Sequence, residues 1–455
     1  MKTSPLSKLC RLAVGLSLVG LPLAVAAADA PSPAPPGAEK QVPSDADVLL
    51  NLFQKKGLIS NQEAKEAREA LAQRAVQPPD ASKLKLNPAL KGLELFGDAR
   101  LRYEWREGQS PGSDTLSRER FRYRLRFGAK GEFKDDFYYG LRLETGDSSR
   151  SSNLTFGNDA GGPSSKTDDK INVGQIYLGW KATDSLTLEA GRMANPLVTS
   201  SLVWDPDITP EGASERFKHS VGKFDLFATF GQFLYDDANP ENPFGTGALK
   251  SDAFLLAWQV GAKYNLNDNM SVLIAPTLYN YTGQGDSHGT VYDPSVALGK
   301  FAINDLLVFE VPAEFNFTAL NRPWKAFADF AVNLQASDRA AAARALAPAA
   351  YPGTGDEGFA YQIGLQVGKA AKKNTWEAKA FWQHTELFSL DPNLVDSDLF
   401  DSIVNFEGFV LQFGYAIRDN ITGNLTYARG DRANKSLPTG AGGDIGGVGD
   451  RKSVV

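Results

Sequence analysis

The chain has 455 residues with 54 acidic and 48 basic side chains, a net charge of −6, and a mean hydropathy below zero. After the N-terminal leader it has no run of 18 apolar residues, which excludes a transmembrane helix, and the basic residues interleave with aromatics at strand period, so no nucleic-acid partner is expected. In chain order, Lys2, Lys8 and Arg11 precede an apolar run from Leu12 to Val25 and the small residues Ala26, Ala27 and Ala28. This pattern is that of a secretory signal peptide over 1–28, with cleavage expected after Ala28 and Ala30 as the alternative. The single cysteine, Cys10, lies inside the leader, so the exported chain is expected to carry no disulfide.

A Pro/Ala-rich linker occupies 29–43, and a helical segment is expected over 44–76. Val48, Leu49, Leu52 and Phe53 form an apolar stripe that Gly57 ends. Ser60 and Glu63 have the spacing of a capping box opening a helix from Asn61 to Arg74, with Ala64, Ala67, Ala70 and Leu71 on one face. Two such short helices do not fold alone, so they are expected to pack on each other, on a barrel end or on neighbouring subunits. A second linker, 77–90, contains Pro78, Pro79 and Pro88 and leads to the region 91–455.

That region opens with two strictly alternating segments. Leu93, Leu95, Ala99, Leu101, Tyr103 and Trp105 share one face against Glu94, Asp98, Arg100, Arg102, Glu104 and Arg106. Phe121, Tyr123, Leu125, Phe127, Ala129 and Phe133 then alternate with Arg120, Arg122, Arg124, Arg126, Lys130 and Glu132. From Arg118 to Arg126 five arginines stand at period two, about 6.6 Å apart along one face. A dry core rejects unpaired charges, so the charged face is expected to see water and the aromatic face a large apolar phase.

Counted from Leu93 onward, with these two included, there are fifteen candidate strands, separated alternately by tight turns and long polar loops. The tight turns include Lys134-Asp135-Asp136, Thr183-Asp184-Ser185, Gly222-Lys223 and Arg418-Asp419-Asn420, and the long loops include 147–170, 192–213, 336–358 and 388–405. Short turns at one end and long loops at the other are the asymmetry of an outer-membrane barrel, the one sheet form able to span lipid without helices. About 365 residues at roughly 22 to 23 per strand and loop make about sixteen strands, a size that leaves an aqueous channel. The expected fold is therefore all-β, a transmembrane antiparallel barrel of about sixteen strands with a short N-terminal helical segment.

The segment from Gly191-Arg192-Met193-Ala194-Asn195-Pro196-Leu197 through Val203-Trp204-Asp205-Pro206-Asp207 to Pro210-Glu211-Gly212 resembles a motif of the bacterial "putative porin" family of outer-membrane barrels. The Lys-Lys-Gly-Leu-Ile-Ser stretch from Lys55 and the Asn405-Phe406-Glu407-Gly408 segment resemble it as well. The resemblance implies a sixteen-stranded, trimer-like porin. It also implies a final strand ending in an aromatic residue that the barrel-assembly machinery reads. This chain ends Asp450-Arg451-Lys452-Ser453-Val454-Val455, so an incomplete or irregular last strand is expected.

The expected function is passive diffusion of small hydrophilic solutes or ions through a water-filled lumen in the outer membrane. A non-conducting structural or adhesive barrel is the alternative. Arg100, Arg102, Arg106, Arg118, Arg120, Arg122, Arg124 and Arg126 are the expected pore-lining residues. They act either as an anion-favouring track, since arginine stays charged and forks around carboxylates and phosphates, or as a row neutralised by loop carboxylates. Asp147, Asp159, Asp168, Asp169, Glu104 and Glu119 are the partners considered for the second reading. Asn195, Pro196, Trp204, Asp205, Asp207 and Glu211 lie on a loop expected to fold inward and constrict the pore. Asp396, Asp398 and Asp401 do not have the spacing of a calcium loop, and neither a metal nor a cofactor is expected. His219, His288 and His384 are far apart, and no nucleophile or metalloprotease motif occurs, so no enzyme is expected. Outer-membrane lipid, the assembly machinery and two further copies of the chain are the expected partners.

Overall fold

The computed structural model describes residues 17–19, 54–56, 60, 62–66, 89–109, 115–146, 151–157, 170–237, 252–283, 302–353, 355–400, 402–438 and 450–454. The chain divides into two compact units, Ala26–Leu90 and the remainder. In the first, the Ser60 amide donates to Glu63 Oε2 at 2.7 Å and the Glu63 amide donates to Ser60 Oγ at 3.2 Å. This is the reciprocal capping box, and residues 62–66 follow as helix with Ala64 buried. The apolar stripe 48–53, the residues Ala67, Ala70 and Leu71, and both linkers up to residue 88 lie outside the described residues.

The second unit is one antiparallel sheet. Its strands are β1 (Ser17–Val19), β2 (Leu90–Gln109), β3 (Leu116–Phe133), β4 (Phe137–Thr145), β5 (Leu154–Thr155), β6 (Ile171–Lys181), β7 (Leu186–Arg192), β8 (Glu211–Val221), β9 (Phe224–Asp236) and β10 (Ala253–Asn267). They continue with β11 (Met270–Ile274), β12 (Thr277–Thr282), β13 (Leu307–Ala319), β14 (Arg322–Asn333), β15 (Phe359–Gly368), β16 (Trp376–Thr385), β17 (Phe406–Arg418), β18 (Ile421–Arg432) and β19 (Asp450–Val454). Each long strand pairs with its sequence neighbours, and β19 pairs with both β18 and β2, so the sheet closes into a barrel.

The nineteen segments occupy sixteen positions around the wall. β11 and β12 are one strand interrupted at Ala275-Pro276, because both pair with β10 and β13. Pro276 has no N–H to give to the ladder, and the break falls where it stands opposite the Pro312 region of β13. β5 prolongs the position of β4 along β3, and β1 and β19 share the closing position. Val454 of β19 opposes Tyr427 and Trp105, and Leu18 of β1 opposes Gly423 and Leu101, in the same register further along the same line.

The period-two pattern sorts side chains between two environments. Leu101, Phe121, Leu125, Phe127, Ile176, Leu178, Val260, Ile363 and Leu411 project outward and are exposed, as an apolar band facing lipid requires. The partner positions on the same strands turn inward. Several inward glycines lie directly under an aromatic ring of the opposed residue, as in the pairs Gly179 with Tyr138, Gly140 with Tyr177, Gly261 with Phe227 and Gly364 with Phe327. The glycine leaves room for the ring to lie flat across the strand, which pins register where no side chain opposes it.

Two long connections differ from the expectation of polar surface loops. Residues 336–358 contain the helix α1 (Ala336–Leu346). Its buried Arg339 donates to the carbonyl oxygens of Ala302, at 2.8 Å, and Asn304. Residues 388–405 contain the short helix α2 (Ser397–Phe400) and run among buried side chains. Leu387, Phe388, Leu390, Leu394 and Val395 pack with Leu197, Leu202, Val203 and Trp204 in one apolar cluster, which also takes Ala336, Ala340 and Ala343 of α1. The inner core is thus built by connections rather than by the strands alone.

Candidate functional site

The arginine row of β2 and β3 faces inward, as the alternation requires, but not into open water. Arg102, Arg106 and Arg122 are buried and Glu104 has no exposed surface at all. This corrects the expectation that the charged face must see water. The dry environment is tolerated because carboxylates are supplied within the row. Glu104 Oε1 and Oε2 accept from Arg120 at 2.9 and 3.0 Å, Oε2 also accepts from Arg102 at 3.1 Å, and Arg106 closes on Oε1. One carboxylate at period two among arginines therefore serves as the hub for both strands.

Further along β3 the pairing passes to other elements. Arg124 meets Asp98 at 2.7 Å, Arg126 meets Glu144 at 2.9 Å, and Glu144 also takes Arg142 at 3.0 Å. Arg126 reaches Asp207 on the 193–210 connection at 2.7 Å, and Arg102 forks onto Asp398 of α2 with both contacts at 3.0 Å. The partners are thus Glu104, Asp98, Glu144, Asp207 and Asp398. Of the others considered from sequence, Asp147, Asp159, Asp168 and Asp169 lie outside the described residues. Arg118 stands on β3 near the rim and is partly exposed.

The 193–210 connection crosses the interior. At its start, Asn195 Oδ1 accepts from the Leu197 amide at 3.0 Å, next to Pro196. The Val198 amide donates to Gln259 Oε1 at 2.9 Å while Gln259 Nε2 donates to the Val198 carbonyl at 2.8 Å. Thr199 Oγ1 donates to Glu310 on β13 at 2.7 Å, and Ser200 Oγ donates to Asp329 on β14 at 2.5 Å. Trp204 is buried and donates to the Ile208 carbonyl at 3.0 Å. Asp205 Oδ2 accepts from the amide and hydroxyl of Ser397 at 3.0 and 2.8 Å, so the connection is tied to α2. Glu211 returns to the wall, paired with Arg192 at 2.9 Å. The connection therefore spans from the β13–β14 wall, through Thr199 and Ser200, to the β3 wall, through Asp207.

Around α2 two aspartates behave differently. Asp398, beside Arg102, is held below the usual carboxylate range by that guanidinium's charge and hydrogen bonds, against the pull of burial. Asp396 is partly buried beside Asp205 and Asp398, and both desolvation and those neighbouring charges push its carboxyl well up. Asp401 lies outside the described residues, and among the described residues no cluster of His, Cys, Asp and Glu has a metal-holding arrangement.

Residues 102–297 match the protein family described as "Putative porin". The matched stretch holds most of the arginine row and the whole 193–210 connection. The match and the closed barrel with its outward apolar band support a porin-like outer-membrane channel. Pseudomonas putida OprB, in a structure at high pH, is similar at 14% identity and a TM-score of 0.47, covering 80% of this chain and 92% of that one. Salmonella typhi OmpF in complex with daunomycin is similar at 10% identity and a TM-score of 0.41, covering 80% of this chain and 96% of that one. No curated protein matches the sequence. His219 lies exposed on β8 beside Phe217, and His384 pairs with Glu407 at 2.9 Å; His288 lies outside the described residues.

Sequence reasoning missed Asp398 as a partner of the arginine row, the 386–405 connection as an inward element, and the acceptors Glu310 and Asp329. A signal was present for the connection: Leu387, Phe388, Leu390, Leu394 and Val395 are too many apolar side chains for a solvated loop. Glu310 and Asp329 also had one, since each stands on the inward parity of its strand among apolar residues.

Proposed function

We propose that the protein is a porin of the bacterial outer membrane that passes small hydrophilic solutes by passive diffusion, its bore set by the 193–210 and 386–405 connections. The observation that carries this reading is the crossing of the barrel interior by Thr199 to Asp207, fastened at both walls. A segment held at both ends narrows a lumen without sealing it. Asn195, Pro196, Trp204, Asp205, Asp207 and Glu211 shape that constriction, and the arginines from Arg100 to Arg126 line it. Because Glu104, Asp98, Glu144, Asp207 and Asp398 answer most of the row, the anion preference is small. The leader directs export, the assembly machinery inserts the barrel, and a trimer in outer-membrane lipid is the working assembly.

Planar-bilayer recording of detergent-refolded protein tests this. Stepwise openings with a slight chloride lean are expected, and a folded sample without openings overturns the reading. One observation favours the second reading, a non-conducting structural barrel: the apolar cluster of Leu202, Trp204, Phe388 and Leu394 with α1 occupies lumen that a wide pore would leave to water. Absence of openings from folded protein would select it.

A further inference from the structure

Resting on the porin reading and deepening it, the geometry points to a binding site for a small organic carboxylate in the cavity between Arg100 and Lys379. This cavity, about 300 Å³, lies where β2, β16, β17 and β18 meet both inner connections. That volume is at the small end of ligand pockets, enough for an anion of a few heavy atoms.

Charge on its walls is unevenly answered. Arg102 is committed to Asp398 and Glu104. Arg100 spends Nε and Nη2 on one neutral oxygen, Asn153 Oδ1. Lys379 Nζ stands 4.9 Å from the Phe327 ring centre and 4.7 Å from that of Phe381. Among the described residues neither Arg100 nor Lys379 has a carboxylate within ion-pair distance. The two cations come from opposite sides of the cavity, one on β2 and one on β16.

The acids that line it do not cancel them. Asp398 is used by Arg102, and Asp396 accepts from the Asp398 amide at 3.0 Å and is driven toward its neutral form by burial. The cavity therefore holds two cationic side chains in a part-dry setting, where an anion compensates far more than in water. Arg100, with Nε and Nη2 on Asn153, offers its Nη1 and its charge to a carboxylate, and Lys379 offers a point charge. Ser201, Gln412, Asn424 and Thr426 offer neutral hydrogen-bonding groups around the headgroup. Phe381 and Leu399 supply an apolar side for the body of the solute. A cationic solute would meet Lys379 and Arg100 unscreened, and a bare inorganic anion would leave the Phe381 side uncovered.

Benzoate is a suitable probe and benzamide its neutral isostere. Equilibrium dialysis of the refolded full chain against each decides the site, independently of conductance. Saturable millimolar benzoate binding is expected, with benzamide at least tenfold weaker and Lys379→Gln and Arg100→Gln each losing tenfold or more. Resistance to unfolding by detergent at room temperature checks that both variants are folded, and Lys379→Arg is expected to restore binding. Equal binding of benzoate and benzamide, or benzoate binding unchanged in both folded variants, overturns the site. Bilayer recording of the same samples separates the two readings: openings without benzoate binding leave the porin and remove the site, whereas binding without openings keeps the site in a barrel that does not conduct.

Discussion

Thr199 Oγ1 lies 2.7 Å from Glu310 Oε1, and that glutamate, without exposed surface, also accepts from Tyr279 at 2.7 Å. The buried carboxyl is satisfied by hydroxyls from two separate elements, one of them the crossing connection. Removing such donors strands buried acceptors, at a cost of roughly 1 to 3 kcal/mol each. The double variant Thr199→Val with Ser200→Ala is expected to release the connection from the β13–β14 wall. Single-channel recording should show a larger, noisier conductance, and urea unfolding an earlier midpoint; a quiet channel of unchanged size would contradict the anchor.

Glu104 holds its arginines in a buried setting, so Glu104→Gln leaves several guanidinium charges without their shared partner. Breaking a buried pair in this way costs about 3 to 5 kcal/mol. Where the variant still folds, the reversal potential under a potassium chloride gradient should move toward chloride. An unchanged potential would mean that the row does not face the conducting path.

Asp396 and Asp398 predict opposite pH behaviour two residues apart. Asp398 has a lowered pKa in the folded protein, so its contribution is present above the unfolded value of about 3.9 and is lost as pH falls through the folded one. Asp396 has a raised pKa, so its contribution is full below about 3.9 and is lost as pH rises through the folded value. Asp398→Asn should therefore destabilise the protein at pH 7 and lose that effect in strong acid, while Asp396→Asn should be neutral or stabilising at pH 7. Urea midpoints followed from pH 8 down into strong acid measure both.

Gly179 has no room for a side chain, since a Cβ there would meet the Tyr138 ring at 2.0 Å. The Tyr138 hydroxyl in turn donates to Glu189 at 2.8 Å and accepts from Arg216 at 3.0 Å. Gly179→Ala should displace the ring and loosen that triad, a loss of about 1 to 3 kcal/mol, whereas Gly222→Ala, with open space but a positive φ of 57°, strains the turn alone. Heat-modifiability on gels compares the two.

The barrel was legible because lipid and lumen impose period two on every strand, and the segments around Leu101 and Phe121 carry it with few exceptions. The turns at Asp135, Asp184 and Lys223 were legible for the same reason: the pattern stops there and resumes with a shifted phase. The inner connections were not, because alternation says nothing about where a loop goes once it leaves the wall. Helix α1 is a case in point. Ala336–Leu346, with Asp338 in its first turn and Arg344 in its last, has strong local helix propensity, but its place in a loop of the barrel masked that signal. Pairing across the lumen, such as Arg102 with Asp398, joins residues nearly three hundred positions apart and has no trace in spacing.

The closing position of the wall is held by a short segment. β19 contributes five residues between β18 and β2, whereas the neighbouring β17 and β18 pair from Phe406 to Arg418. Backbone pairing around a cylinder resists opening only as strongly as its shortest rung. Under sideways load the seam that β19 closes between β2 and β18 is where the cylinder would part first, and hydrogen exchange should be fastest along it.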